Sequence, residues 1–250
     1  MPTLIDHLEQ DGQRLADAAQ SAGLGAPVPT CPDWTVTDLL RHLSGVHRWA
    51  TTYLTADNPN PPTDEAQAPL FEAPDGDALF AHFRQGHAAL VAAARDCPPY
   101  RRSWTFLEAP SALAFWSRRQ AHETAVHRFD AEAAAGWPSD CDPVFAADGI
   151  DELICGFQAR PRGRLRSDPS VALGVQATDV IDSAWTLRIG PQSRSATRTL
   201  DRADCVLRGP AADLYRLLWN RVELHDTAVE TSGDDAVLEL WRARATVTWD

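Results

Sequence analysis

The sequence predicts an α+β protein in which a four-helix bundle over residues 1–141 precedes a smaller mixed α/β domain over residues 142–250. Through the first part, apolar residues recur at helical spacing in four segments, which loops rich in proline and glycine separate. In the second part, short segments containing β-branched residues alternate with helical patterns. A chain of 250 residues is long enough to form two modest domains, each with its own core.

The first two helices are predicted from their apolar spacing and from their end signals. Helix one covers residues 3–22 and stops at Gly23, because glycine favours the end of a helix. Helix two follows Thr35, which forms the Thr-x-x-Asp version of a capping box with Asp38. The NPNPP run at residues 58–62 belongs to the long loop after it.

Two further helices complete the predicted bundle. Helix three begins near Asp75, with apolar side chains facing inward, and CPPY at residues 97–100 stops it. Helix four covers residues 111–135 and is closed by Gly136. The interior of a four-helix bundle commonly carries metal sites built from facing helices, so polar residues on these helices are of interest.

The second domain is predicted from segments of both types. AADGIDELICGF is a helix candidate, and VALGVQATDV and SAWTLRIG are predicted strands because of their partial alternation and β-branched content. CVLRG leads into the helix PAADLYRLLWNR, whose proline near the start is tolerated. A last helix is predicted around residues 235–242.

Composition excludes several classes of function. The formal charge of −12 disfavours a nucleic-acid partner, which usually requires a basic surface. The sequence has no apolar run of about 18 residues and no apolar N-terminal segment, so we expect a cytoplasmic protein without a membrane partner. The five cysteines are widely spaced and predict reduced thiols without a metal knuckle. The oligomeric state stays open.

The most informative stretch is AHETAVHRFDAE at residues 121–132. His122 and His127 are five residues apart, whereas a zinc-protease motif needs two histidines four apart on one helical face. Five residues turn two side chains about 140° from each other, so one helix cannot aim both at the same ion. Glu123 and His127, four residues apart, lie only about 40° from each other and can offer an oxygen and a nitrogen to one metal.

Two interpretations of this helix face are open. In a structural one, Arg119 pairs with Glu123 at i,i+4 and His127 pairs with Asp130 at i,i+3, which gives a salt-bridged, solvated face. In a metal-binding one, the face borders the core and His42 of helix two adds a second imidazole. Two imidazoles and one carboxylate suit Zn²⁺ and leave a position open for water or substrate. The same set also suits Fe²⁺.

The remaining histidines are assigned to packing or to the surface. His122 lies on the apolar stripe of helix four, where it packs or supports a ligand, and His47 turns away from the apolar stripe of helix two. Four others lack a helical partner at i,i+4 and are not candidate ligands: His7, His82, His87 and His225.

Three segments resemble the mycothiol-dependent maleylpyruvate isomerase family. These are CPDWTVTDLLRHLSGVHRW at residues 31–49, FWSRRQAHETAVHRFDAEAAAG at residues 115–136 and GPAADLYRLLWNR at residues 209–221. The resemblance implies a DinB-like four-helix bundle that holds a divalent metal, followed by a smaller α/β domain similar to sterol-carrier folds.

The same resemblance implies roles for individual residues. His42, Glu123 and His127 correspond to the ligands of a divalent metal, in the first place zinc. Arg221 corresponds to a catalytic arginine of the C-terminal domain. The outer-shell residues that orient the ligands would be Arg119 and Asp130.

The resemblance further implies an enzyme that uses mycothiol as a thiol cosubstrate to isomerise a small electrophilic molecule such as maleylpyruvate. A mycothiol S-transferase would use the same thiolate without the elimination step, and remains an alternative. A non-enzymatic protein that binds a metal and a small ligand is a second alternative, which a fourth protein ligand would favour because structural zinc is usually closed by four. A third is a metal-free bundle with a polar core network.

Overall fold

The computed structural model describes residues 2–160 and 163–245, and the chain divides into two compact units, residues 1–139 and 140–250. The architecture is α+β, as the sequence predicts, with helices first and a five-stranded mixed sheet with helices second. The predicted division into domains at residues 141 and 142 stays a prediction. Residue 1 and residues 246–250, at the outer ends of the two predicted domains, lie outside the described residues. No helix in the described part of the chain combines the length and the apolar character needed to cross a bilayer.

The first unit contains the four predicted helices and a short additional one. The short helix and the 3₁₀ turn that follows it, Ala68–Phe71, lie in the loop after the second predicted helix. In chain order, the helices are α1 (Leu4–Ala22), α2 (Val36–Thr55), α3 (Asp64–Gln67), α4 (Ala78–Asp96) and α5 (Ala112–Ala135).

Local chemistry explains where these helices begin and end. At the start of α2, Oδ2 of Asp38 accepts hydrogen bonds from the hydroxyl of Thr35 at 2.6 Å and from its backbone N–H at 2.8 Å. The Thr35 hydroxyl and N–H hold the pKa of the Asp38 carboxyl below its usual range. At the start of α5, Ser111 accepts from the backbone N–H of Ala114. At its end, Gly136 has a φ of 67°, a left-handed conformation that glycine adopts without steric cost.

The core of the first unit forms where α1, α2 and α4 meet α5. The predicted inward residues of α4, Leu79, Phe83 and Leu90, are fully buried. The face of α5 that carries Glu123 and His127 is also buried, so the structural interpretation is wrong about its exposure to solvent. The reason is that α5 packs against α1, α2 and α4 together and has almost no free surface. The two side-chain pairs of that interpretation are present.

The second unit is built around the sheet, whose strand order is β3-β2-β1-β4-β5. Strands β1 and β4 are parallel, and the other neighbouring pairs are antiparallel. The predicted helices and the strands β1 and β2 are confirmed, and the short, polar strands β3 and β5 were not predicted. The elements are α6 (Pro143–Asp151), which continues as a π-helix (Glu152–Gln158), β1 (Val171–Ala177), β2 (Ala184–Ile189), β3 (Arg194–Thr197), β4 (Cys205–Gly209), α7 (Ala211–Leu218), β5 (Glu230–Gly233) and α8 (Asp235–Arg244).

Candidate metal centre

Helices α2 and α5 bring the three candidate ligands together. Nε2 of His42 lies 3.2 Å from Oε1 of Glu123, and Nε2 of His127 lies 3.4 Å from the same oxygen. One ligand atom from each residue lies within 4.8 Å of the others, a spacing that allows all three to hold one ion. We call His42, Glu123 and His127 the metal cluster.

The burial of the metal cluster is uneven. The side chains of Glu123 and His127 are 7% and 10% exposed, whereas that of His42 is 22% exposed. The two residues from α5 are one helical turn apart, on the face that α2 covers, and His42 lies on the edge of the apolar stripe of α2. His42 is therefore the member of the cluster with the most solvent exposure.

Two buried side chains hold the atoms of the cluster that face away from its centre. Nη2 of the fully buried Arg119 donates to Oε2 of Glu123 at 3.1 Å, which leaves Oε1 facing the histidines. Oδ2 of the fully buried Asp130 accepts from Nδ1 of His127 at 2.7 Å, which leaves Nε2 facing Glu123. These contacts match the outer-shell geometry in which a carboxylate fixes the orientation of a ligating imidazole.

The loop before α2 also contacts the cluster, and sequence reasoning assigned its residues no role. Oγ1 of Thr30 donates to Oδ1 of Asp130 at 2.5 Å, and Sγ of Cys31 lies 3.4 Å from Oδ2. The ring of Trp34 is stacked on that of His127, with centroids 6.0 Å apart, and tilted against that of His42 at 5.2 Å. The only sequence signal was the CPDW segment, which lies directly before the capping box of α2.

The electrostatics of the cluster favour a cation. Burial alone would raise the pKa of Glu123, but the hydrogen bonds of His127 and His42 and the charges of His127 and Arg119 hold it well below its usual range. Burial alone would lower the pKa of His127, but hydrogen bonds and charges of Asp130 and Glu123 raise it to about 9. The surrounding groups therefore stabilise a positive charge between Glu123 and His127, where a metal ion would take the place of the proton on His127.

The donor set fits a divalent metal. Two imidazole nitrogens and one carboxylate oxygen are ligands that Zn²⁺ accepts, and both imidazoles can offer Nε2. Among the described residues, the cluster has three members, fewer than the four that usually close a structural zinc site. An ion held by these three ligands would keep a position for an exogenous group, which is the arrangement of catalytic sites.

The structure corrects the expectation for one other histidine. His47 does not turn away from the bundle but is fully buried, with Nε2 3.0 Å from Oγ1 of Thr124. It packs against His87 of α4, whose Nε2 lies 3.0 Å from the backbone carbonyl oxygen of Leu8. His122 is fully buried in α5, in agreement with its assignment to packing.

Arg221 lies in the second unit, just after α7. Its backbone N–H donates to the carbonyl oxygen of Arg216 at 2.8 Å, and its Nη1 donates to the carbonyl oxygen of Trp219 at 2.7 Å. Its side chain is thereby hydrogen-bonded to the C-terminal end of α7, which lies within the segment 209–221 that resembles the family.

Comparison with known proteins gives matches over both units. The model of the mycothiol maleylpyruvate isomerase N-terminal domain matches residues 5–132, and that of the C-terminal domain of the same family (MDMPI) matches residues 145–240. No sequence among curated proteins matches the chain.

Solved structures share the fold. A crystal structure of the mycothiol-dependent maleylpyruvate isomerase aligns with a TM-score of 0.62 at 15% identity, covering 93% of this chain and 96% of that chain. A structure of a mutant of that enzyme aligns with a TM-score of 0.59 at 14% identity, covering 92% of this chain and 93% of that chain. At such identities the likeness concerns the fold alone.

Proposed function

The chain belongs to the mycothiol-dependent maleylpyruvate isomerase family, and we propose that it is a zinc-dependent isomerase that uses mycothiol to convert a small electrophilic substrate such as maleylpyruvate. One observation carries the metal-dependent part of this proposal. The ligand atoms of His42, Glu123 and His127 converge within 4.8 Å of one another in the bundle.

In this proposal, His42, Glu123 and His127 hold the metal. A zinc ion held there would lower the pKa of a thiol, so that the reactive thiolate of mycothiol forms near neutral pH. The chain itself supplies the arrangement around that thiol. Arg119 and Asp130 fix the orientation of Glu123 and His127 by hydrogen bonds of 3.1 and 2.7 Å, and the more exposed side of His42 admits the thiol from solvent.

The reaction uses the thiolate as a nucleophile that is regenerated. Its sulfur adds to one carbon of a conjugated cis double bond, and the electron pair moves onto the conjugated carbonyl group. The former double bond is then single and rotates. Elimination of the thiolate from the rotated adduct restores the double bond in the trans geometry, so that substrate and product are isomers and the thiol is not consumed.

We assign Arg221 to the binding of a substrate carboxylate. A guanidinium group can hold a carboxylate through two parallel hydrogen bonds, which a lysine cannot reproduce. The family resemblance of residues 209–221 supports this assignment. Arg216 in the preceding helix α7 is a matched control, because its Nη2 already pairs with Oδ1 of Asp213 at 2.6 Å.

The test is the metal content of protein purified without chelator, measured by elemental analysis beside activity with mycothiol and maleylpyruvate. We expect nearly one zinc ion per chain in the unaltered protein and loss of both metal and activity in His42→Ala and Glu123→Ala. His225→Ala is the control, because His225 is an exposed histidine 3.6 Å from a carboxylate oxygen of Asp226. Its removal should leave the metal in place.

Activity separates the proposed reaction from its alternatives. Arg221→Lys should raise the KM for maleylpyruvate by about tenfold, since loss of a charge-assisted hydrogen bond costs roughly 1.5 kcal/mol, while Arg216→Lys should not. Consumption of mycothiol with formation of a stable adduct would favour a transferase instead. A metal-free protein whose variants remain folded would leave a polar packing network and refute the proposal.

A further inference from the structure

The turn between α1 and α2 is closed by its own backbone. The N–H of Val28 donates to the carbonyl oxygen of Trp34 at 2.9 Å, and that of Trp34 donates to the carbonyl oxygen of Cys31 at 3.0 Å. Pro27 and Thr35 form an isolated antiparallel bridge at its base. We call residues 28–34 the clamp loop. Because these bonds lie within the loop, Thr30, Cys31 and Trp34 are presented together to α5.

The clamp loop contacts one buried carboxylate through two side chains. Oδ1 of Asp130 accepts from the hydroxyl of Thr30 at 2.5 Å, a length typical of a hydroxyl bound to a charged oxygen. Oδ2 accepts from Nδ1 of His127 at 2.7 Å and lies 3.4 Å from Sγ of Cys31. Asp130 is fully buried, so protein contacts, these among them, set its orientation and bulk water does not.

The orientation of Asp130 determines which nitrogen of His127 faces the metal cluster. An ionised carboxylate only accepts hydrogen bonds, so the nitrogen beside it, Nδ1, keeps its proton. Nε2, which lies 3.4 Å from Oε1 of Glu123, is then the nitrogen whose proton can be replaced. A rotation of the Asp130 side chain would release Nδ1 and allow the imidazole ring to turn.

We propose that Thr30 and Cys31 are positioning residues, which hold Asp130 so that His127 keeps its Nδ1 proton and presents Nε2 to the metal. The inference concerns the same site and rests on the proposed function for its metal-binding consequence. Its structural part, the hydrogen bond between His127 and Asp130, exists independently of any metal. The clamp loop thereby connects the N-terminal end of α2 to the candidate ligand His127 on α5. The connecting hydrogen bond, from Thr30 to Asp130, joins residues that are 100 positions apart in the chain.

The decisive comparison is Thr30→Val against Thr37→Val. Both replace a hydroxyl by a methyl group of similar size, but the hydroxyl of Thr37 donates to the carbonyl oxygen of Leu24 at 3.0 Å and has no part in the Asp130 contacts. Zinc affinity is measured by competition with a chelator. Outer-shell changes typically cost 10–100-fold, and we expect about tenfold weaker zinc binding for Thr30→Val because it acts through Asp130. Thr37→Val should bind zinc as the unaltered protein does.

A second readout uses the metal-free protein and does not depend on activity or on metal. With ¹⁵N-labelled histidine, the Nδ1 proton of His127 should give a low-field NMR signal that exchanges slowly with water, because a buried carboxylate accepts it. This signal should broaden or move upfield in Thr30→Val and stay in Thr37→Val. Cys31→Ala should have a smaller effect than Thr30→Val, because the sulfur contact is longer and weaker.

The two readouts separate failure of this inference from failure of the proposed function. If the unaltered protein binds no zinc but the Nδ1 signal still depends on Thr30, the proposed function fails and the positioning role stands. If zinc affinity and the Nδ1 signal are both unchanged in Thr30→Val, while Asp130→Asn alters both, the positioning role is refuted. Should Thr30→Val not fold, Thr30→Ser, which keeps the hydroxyl, must restore both readouts to support the inference.

Discussion

Two groups of histidines in the interior of the same helical unit have different electrostatic surroundings. In the metal cluster, His42 and His127 share the carboxylate of Glu123. In the second group, His47 and His87 have ring centroids 5.7 Å apart and contact only neutral oxygens, the hydroxyl of Thr124 and the carbonyl of Leu8. We call these two residues the packing pair.

The difference shows that burial alone does not decide the chemistry of a histidine, because charged neighbours can outweigh it. Carboxylates overcome the effect of burial at His127 and raise its pKa to about 9. Burial dominates in the packing pair, where the pKa of His47 is held well below its usual range and that of His87 is also lowered. The first group is suited to hold positive charge, and the second is suited to stay neutral.

The largest effect is expected when the carboxylate is removed from the metal cluster. Glu123→Gln keeps the shape of the side chain but removes its negative charge. His42 and His127 then lie beside a neutral oxygen, as the histidines of the packing pair do. Zinc affinity should fall by more than about 100-fold, since even outer-shell changes cost 10–100-fold. Chelator competition measures this loss. The variant should also be less stable by about 3 kcal/mol, since the buried ion pair between Arg119 and Glu123 is broken.

The matched change in the packing pair is His87→Gln, which keeps a donor for the carbonyl oxygen of Leu8. We expect its zinc affinity to equal that of the unaltered protein. If His87→Gln loses zinc as Glu123→Gln does, the two groups are coupled and the comparison is wrong.

The three residues of the metal cluster could be selected from the sequence, and their role as ligands stays a prediction, whereas the packing pair could not be selected. The i,i+4 spacing of Glu123 and His127 gives their common face directly, and the position of His42 on the edge of the apolar stripe of α2 allows it to join them. His47 was misplaced because the periodicity of α2 does not tell how many helices cover it. In the structure, Phe83 and His87 of α4 pack on the side of His47 that was expected to be free.

The same limit explains what else was missed. A solvated polar face of α5 stayed open as one interpretation because the pattern of one helix does not show which other helices pack around it. The clamp loop was missed because the hydrogen bond from Thr30 to Asp130 joins residues 100 positions apart. Strands β3 and β5 have four residues each and depend on pairing with β2 and β4 instead of on an apolar pattern of their own.

The packing pair predicts loss of stability in mild acid. An unfolded histidine has a pKa of about 6.5, whereas those of His47 and His87 are lower in the folded protein. Below pH 6.5 the unfolded state therefore binds more protons, and each histidine should lower the free energy of unfolding by up to about 1.4 kcal/mol per pH unit. Above that pH both contributions are fully present. His127 behaves oppositely, since its raised pKa gives stability that is lost only between pH 6.5 and about 9.

Urea denaturation of metal-free protein between pH 5 and pH 7 measures this dependence. Below pH 6.5, His87→Gln should reduce the change in the free energy of unfolding per pH unit by the contribution of one histidine. Above pH 6.5, this pH dependence should be the same in both proteins. An equal slope in both proteins would mean that His87 becomes protonated in the folded state, against the effect of its burial.

A substitution in the backbone of α1 tests the comparison without changing any histidine. A Cβ added at Gly12 would lie 2.1 Å from Nε2 of His87, so Gly12→Ala must displace the imidazole from the carbonyl oxygen of Leu8. We expect a loss of about 2 kcal/mol in the free energy of unfolding, as for other overpacked cores. Zinc affinity should not change, because His87 only packs.

Gly86→Ala in α4 is the control for the helical glycine itself. The nearest heavy atom to its added Cβ is Cγ of Arg48 at 4.0 Å, so the substitution introduces no clash. It should stabilise the protein by about 0.8 kcal/mol, the difference in helix propensity between glycine and alanine. Urea denaturation measures both variants. If Gly12→Ala stabilises the protein as Gly86→Ala does, the His87 ring has room to move, and the hydrogen bond to Leu8 is not what keeps the packing pair in place.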